Sequence, residues 1–184
     1  AGKVKPRVLA SVYAGTDRQG IENGQPAFEL AQQIHSSKWM SFEGYMAYAA
    51  GASHTKGWED RRKKSASDLA GLQETLELSR KAGVPAHIVS GGSTGTYNID
   101  KENNLTELEC GSYVFMDTGY FSIGGKSNPT QYSDFGGALT VLATVDSKRH
   151  QNLATIDYGN KAMARPTDMV KGMPWLQVGN QGAE

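Results

Sequence analysis

The stretch Ala86-His-Ile-Val-Ser-Gly-Gly-Ser-Thr-Gly-Thr-Tyr97 decides the fold. Its first part, Ala86 to Ser90, is a short apolar run that predicts a strand, and it passes without a spacer into Gly91-Gly-Ser-Thr-Gly-Thr96. Glycines let a backbone turn successive N–H groups toward one point, and Ser93, Thr94 and Thr96 add hydroxyl donors. By itself the loop reads either as an anion-binding nest or as a tight turn. It is neither the P-loop, since Gly-Lys-Ser/Thr is missing, nor the dinucleotide fingerprint, since the glycine spacing differs.

Working outward, Arg7 to Tyr13 and Phe42 to Tyr48 predict two more strands, the second apolar on both faces and so covered on both sides. Between them Pro26 suits a first helical turn, with Phe28, Leu30, Ala31 and Ile34 as the inward face and Ser36 and Ser37 at the close. Trp58 to Ala82 predicts one long helix with Ala66, Leu69, Leu72 and Leu76 inward, capped by Gly83 with Pro85 just beyond. Leu108 to Asp117 predicts a further strand. Strands and helices alternating in this way specify a parallel α/β architecture, either a barrel or a doubly wound sheet. In a barrel, phosphate sites form in the loops after the last two strands. The Gly-rich loop follows the penultimate parallel strand, and Gly111-Ser112 offers a second backbone and hydroxyl pair from its neighbour.

Beyond Asp117 the helical period disappears. Ala138 to Asp146 and Leu153 to Asp157 predict two strands joined by the polar segment Ser147 to Asn152. Glycines and Pro129 concentrate between 118 and 135, which places a domain boundary at 125/126, and Arg165 to Glu184 carries no clear period.

The 184 residues hold 19 basic and 19 acidic side chains, net charge zero, with no broad basic face for nucleic acid or an anionic membrane. The dense run Arg61-Arg-Lys-Lys64, beside Glu59 and Asp60, is read as a solvated helix face. No apolar stretch approaches the roughly 20 residues of a membrane span, and no signal-peptide pattern opens the chain, so a soluble cytoplasmic protein is expected. The single cysteine, Cys110, fits a reducing compartment and is read as a packing residue at the head of a strand. His35, His87 and His150 read as ordinary helix, strand and loop residues, and no histidine pair has metal-ligand spacing.

The runs HIVSGGSTGTY (87–97) and TELECGSYVFMDTGY (106–120), with GTDRQG (15–20) and EGYMAY (43–48) before them and TIDYGNKA (155–162) after, resemble D-threonine aldolases and D-serine dehydratases. These are pyridoxal 5'-phosphate (PLP) enzymes of the alanine racemase-like barrel class. The resemblance implies an α/β fold comprising the last four strands of a (β/α)8 barrel, residues 1–125, and the start of an antiparallel β domain, residues 126–184. A full barrel takes about 250 residues, so a fragment is expected. An isolated half barrel with two open sheet edges is expected to self-associate.

The same resemblance assigns roles. Gly92, Thr94, Gly95, Thr96, Gly111, Ser112 and Tyr113 would hold the cofactor phosphate, Arg18 would face the cofactor ring or its oxygen substituent, and Tyr48 would lie beside that ring. His54 would act as acid or base on the substrate hydroxyl, although Ala49-Ala-Gly-Ala-Ser53 replaces the family's Gly and bulkier polar residues before it. No lysine matches the family's Schiff-base motif. The ligands of a divalent metal of the Mn or Zn class are expected outside the chain, after Gln181-Gly-Ala-Glu184. The implied reaction is cleavage of a D-β-hydroxy amino acid, D-threonine to glycine and acetaldehyde, by a full-length homodimer, the fragment alone being inactive. The alternatives are D-serine dehydration to pyruvate and ammonia, or a non-catalytic phosphate-binding fragment.

Overall fold

The computed structural model describes residues 4–158, which divide into two compact units between Gly136 and Gly137. The 125/126 position therefore falls inside the first unit, where the Gly125 amide donates to the Asn128 carbonyl (2.7 Å) and Tyr132 is fully buried.

The first unit carries a four-stranded sheet, β1 (Arg7–Ser11), β2 (Ser41–Ala47), β3 (Ile88–Gly91) and β4 (Glu107–Leu108), in sequence order and parallel throughout. Helix α1 (Gln25–His35) begins at Gly24 with Pro26 in its first turn and buries Ala27, Phe28, Ala31 and Ile34. Leu30 is only half-buried, because Ala27 at the three- to four-residue spacing takes the innermost row. A single turn, α2 (Ala50–Ser53), follows β2. The core joins Ala10, Val12, Phe42, Tyr45 and Val89 of the sheet region to the inward rows of α1 and of the second helical layer, including Leu69 and Leu72.

Three expectations are corrected. The long helix is two, α3 (Trp58–Asp68) and α4 (Ala70–Lys81), parted at Leu69. Gly71 lets Asn23 approach so closely that a Cβ there would lie 2.8 Å from the Asn23 Cβ. The inward row ran straight through the break, so its period gave no sign of it. Ala66 is exposed, and Arg61 and Ser65 occupy the inward row in its place. The strand expected over Leu108 to Asp117 shrinks to the β4 pair, followed by a 3-10 turn, Ser112–Val114, and α5 (Thr118–Phe121). The β-favouring residues Tyr113, Val114 and Phe115 lie in and just after the 3-10 turn, outside the ladder, and stay exposed.

In the second unit, β5 (Val145–His150) pairs antiparallel with β6 (Leu153–Ile156). The strand onset is later than the expected Ala138, and most of the supposed polar connection is strand, the turn being Gln151-Asn152. Residues 159–162 of TIDYGNKA, and the terminus from Arg165 on, lie outside the described residues.

Candidate functional site

Parallel strands bring the loops that follow them to one edge of the sheet. Arg18 lies in the loop after β1, Tyr48 directly follows β2, residues 92–96 follow β3 and residues 111–113 follow β4. Every residue proposed from sequence is therefore delivered to the same edge, and the hydrogen bonds show how closely several of them meet.

The 91–96 loop is buried. Gly92 has φ 71°, a backbone that side chains disfavour, and a Cβ there would sit 2.8 Å from Leu108 Cδ2 and 3.1 Å from Asp100 Oδ2. A Cβ at Gly95 would run into the Ser53 carbonyl. The turn closes on itself: the Ser93 amide donates to Thr96 Oγ1 (3.0 Å) and the Thr96 amide to the Ser93 carbonyl (3.1 Å). Thr96 is thus spent on building the loop. The Tyr113 amide donates to Thr94 Oγ1 (3.0 Å), tying the 111–113 segment to the loop. Gly111 and Ser112 are exposed beside it.

Both carbonyls at the tip are pinned from behind. The Tyr132 hydroxyl donates to the Thr94 carbonyl (2.6 Å), and Arg61 Nε donates to the Gly95 carbonyl (2.7 Å). In a planar trans peptide the N–H points away from the C=O, so pinning the Thr94 oxygen turns the Gly95 N–H to the opposite side. Among the described residues, the Thr94 and Gly95 amides find no acceptor. Beneath the loop the fully buried Asp100 accepts from Ser65, while its Oδ2 has no partner, and burial raises its pKa.

The guanidinium of Arg18 stands 5.8 Å from the centre of the Tyr48 ring, a cation–π arrangement, and both line a concavity with Ser11, Thr16 and Met46. Burial, then the charge of Glu109, raises the Tyr48 pKa, and Arg18 opposes them. His54 follows α2 and lies against the Tyr120 ring at 4.2 Å, with its Nδ1 2.9 Å from Ser53 Oγ. Ser53 Oγ already donates to the Ala50 carbonyl (2.8 Å), so His54 Nδ1 takes the donor role and Nε2 is left as the basic atom. Desolvation lowers the His54 pKa, and Asp117 pulls it the other way. Cys110, expected at the head of a strand, follows β4 at partial exposure, and burial raises its thiol pKa.

Arg61 overturns the reading of the basic run as a solvated face. It is 0% exposed and, beyond Gly95, donates to the carbonyls of Thr55 (2.8 Å), Ile123 (3.2 Å) and Gly124 (2.7 Å). The signal was present: stepping back by four from Leu69 along the helix gives Ser65 and then Arg61, which extends the buried row. Tyr120, Tyr132, Asp100 and Asp117 were also missed, since each gains its role through contacts distant in sequence. Among the described residues, no three His, Cys, Asp or Glu side chains cluster as metal ligands, and no helix is long and apolar enough to cross a membrane.

The sequence model of the alanine racemase N-terminal domain matches residues 1–119. A 3-hydroxy-D-aspartate aldolase of Paracoccus denitrificans (strain Pd 1222) is 29% identical over 171 residues, 92% of this chain and 43% of that protein. The crystal structure of D-threonine aldolase from Filomicrobium marinum superposes with a TM-score of 0.72 at 28% identity, over 86% of this chain and 42% of its own. D-threo-3-hydroxyaspartate dehydratase from Delftia sp. HT23 gives 0.67 at 27% identity, over 87% and 41%. The chain therefore spans about two fifths of the length of these relatives. The family match covers the parallel sheet and every loop that converges on its edge: the chain belongs to the alanine racemase N-terminal domain family.

Proposed function

We propose that this chain carries the phosphate-binding part of a PLP-dependent lyase acting on D-β-hydroxy amino acids, of the D-threonine aldolase type. The observation that carries it is the 92–96 loop, whose tip carbonyls are held from behind and whose Thr94 and Gly95 amides lack an acceptor among the described residues. That arrangement fits a phosphate monoester: N–H groups on one side, a glycine surface where any Cβ would intrude, and Thr94 joined to the 111–113 segment. Gly92, Thr94, Gly95, Ser112 and Tyr113 would hold the phosphate, with Thr96 shaping the turn.

When bound, PLP supplies an electron sink for the electron pair released at the substrate Cα. The residues of this chain would take the following parts. Arg18 and Tyr48 present a cationic and an aromatic surface that orients the ring. His54, kept neutral by its lowered pKa and basic at Nε2, would accept the proton of the substrate β-hydroxyl as Cα–Cβ cleaves and an aldehyde leaves, and a proton delivered to Cα completes glycine. A divalent metal of the Mn or Zn class and a homodimeric assembly belong to the same proposal for the whole enzyme. The structural match to a D-threo-3-hydroxyaspartate dehydratase favours dehydration as the second reading. Product analysis of the whole enzyme separates the two: glycine with an aldehyde, or an oxo acid with ammonia.

Titration of the chain with PLP tests the binding claim. Saturable binding that inorganic phosphate competes away is expected. Binding that ignores phosphate, or reaches the chain only through scattered surface lysines after borohydride reduction and mass analysis, overturns it.

A further inference from the structure

We propose that Arg61, with Tyr132, is a rear brace for the phosphate-binding loop: a positioning residue that acts on a bound phosphate dianion through the Gly95 peptide, without touching it. The inference rests on the reading of the 92–96 loop given above and adds two residues that neither the sequence motifs nor the strand-end positions contain.

The guanidinium is fully buried, yet among the described residues it forms no ion pair. Every acceptor it finds is a backbone carbonyl, drawn from three segments: Thr55 and, at 3.5 Å, Gly57 just after His54; Gly95 at the loop tip; Ile123 and Gly124 beyond α5. Tyr132 lies with its ring 5.5 Å from the guanidinium carbon and its hydroxyl on the Thr94 carbonyl. A cation is costly to bury, and carbonyl dipoles offset only part of that cost. Asp134 acts on the guanidinium through space without an ion pair, and a dianion seated on the far side of the pinned peptides would add the countercharge that it and the carbonyls do not supply. The same guanidinium fixes the chain after His54 relative to the loop, so it links the acid–base residue to the phosphate seat. Lysine cannot replace it, because a single ammonium lacks the planar fork that reaches three segments at once.

The test compares the wild-type chain with Arg61→Lys and Tyr132→Phe. Without ligand, R61K should accelerate hydrogen exchange at the amides of Gly57, Thr96, Ile99 and Asp100 by tenfold or more while the β1–β2 amides keep their protection. The affinity for PLP should fall about tenfold, about 1.4 kcal/mol, with pyridoxal, which lacks the phosphate, unaffected. Y132F, which removes one hydroxyl from an otherwise intact ring, should move both readouts the same way by a smaller factor, and it decides the matter if R61K does not fold. Exchange that is unchanged, or that rises equally in β1–β2, overturns the brace. Equal losses for PLP and pyridoxal overturn the electrostatic part. If the wild-type chain binds no phosphate-bearing ligand, the functional reading falls, while the exchange experiment still decides the brace.

Discussion

Replacing Gly95 by alanine isolates the packing demand of the loop, because three glycines provide a graded comparison. At Gly95 the added methyl would meet the Ser53 carbonyl, and backbone on both sides is buried. At Gly83 nothing lies within 4 Å of a Cβ, but φ is +70°. At Gly111 there is open space and φ is −119°, which any residue adopts. Overpacking a closed site costs about 1–3 kcal/mol, and Gly95 belongs near the upper end because carbonyl oxygen, not a flexible side chain, stands in the way. G83A carries only the left-handed penalty of about 1 kcal/mol, and G111A should be neutral or stabilising by about 0.5 kcal/mol through the unfolded chain. At about 2–4 °C per kcal/mol for a chain of this size, the Tm of G95A should drop by about 6–12 °C. Urea midpoints and thermal melts give the ranking, and titration with inorganic phosphate should show a large loss for G95A alone. If G95A melts with G111A and still binds phosphate, the loop is not the closed cradle described above.

Two further predictions concern charge. Asp117→Asn keeps the cap that receives the Tyr120 amide (2.8 Å) but removes the charge that raises the His54 pKa, so an NMR titration should find His54 lower still; an unmoved or raised value would sink the assignment of Asp117 as its electrostatic neighbour. Asp100 has a raised pKa in the folded chain, so its protonated form contributes stability that is present below about pH 3.9 and is lost as pH rises through the folded value. The stability of the wild type relative to Asp100→Asn should accordingly fall across that window in urea denaturation, and a gap independent of pH would contradict it.

Much of this architecture was legible because it rests on local signals. Short apolar runs marked β1, β2 and β3, Pro26 marked the start of α1, and Gly83 marked the end of α4. The Gly-Gly-Ser-Thr-Gly-Thr loop announced itself by composition. What was missed depends on contacts across the chain. The break at Leu69 has no local sign, and the close approach of Asn23 to Gly71 just beyond it comes from more than 40 residues away in sequence. The loss of strand after Leu108 goes with the diversion of the Tyr113 amide to Thr94. Charge misled most where the helical period should have ruled: Arg61 was grouped with Arg62, Lys63 and Lys64 by adjacency, whereas adjacent helical residues point about 100° apart.

That misgrouping exposes how the site is organised. A phosphate loop needs its N–H groups free and its carbonyls occupied, and a parallel sheet offers no further strand to occupy them at the tip. Helix α3 supplies the donor from behind, at the one position of its basic run that faces inward, and Tyr132 supplies the other from the segment after α5. Hydrophobic residues in those places would pack as well and cost less desolvation, but they would leave the Thr94 and Gly95 carbonyls unpaired and free to rotate the amides out of register. The expense of a buried guanidinium is therefore tied to the orientation of two peptides, which is the property an anion site requires and a structural core does not.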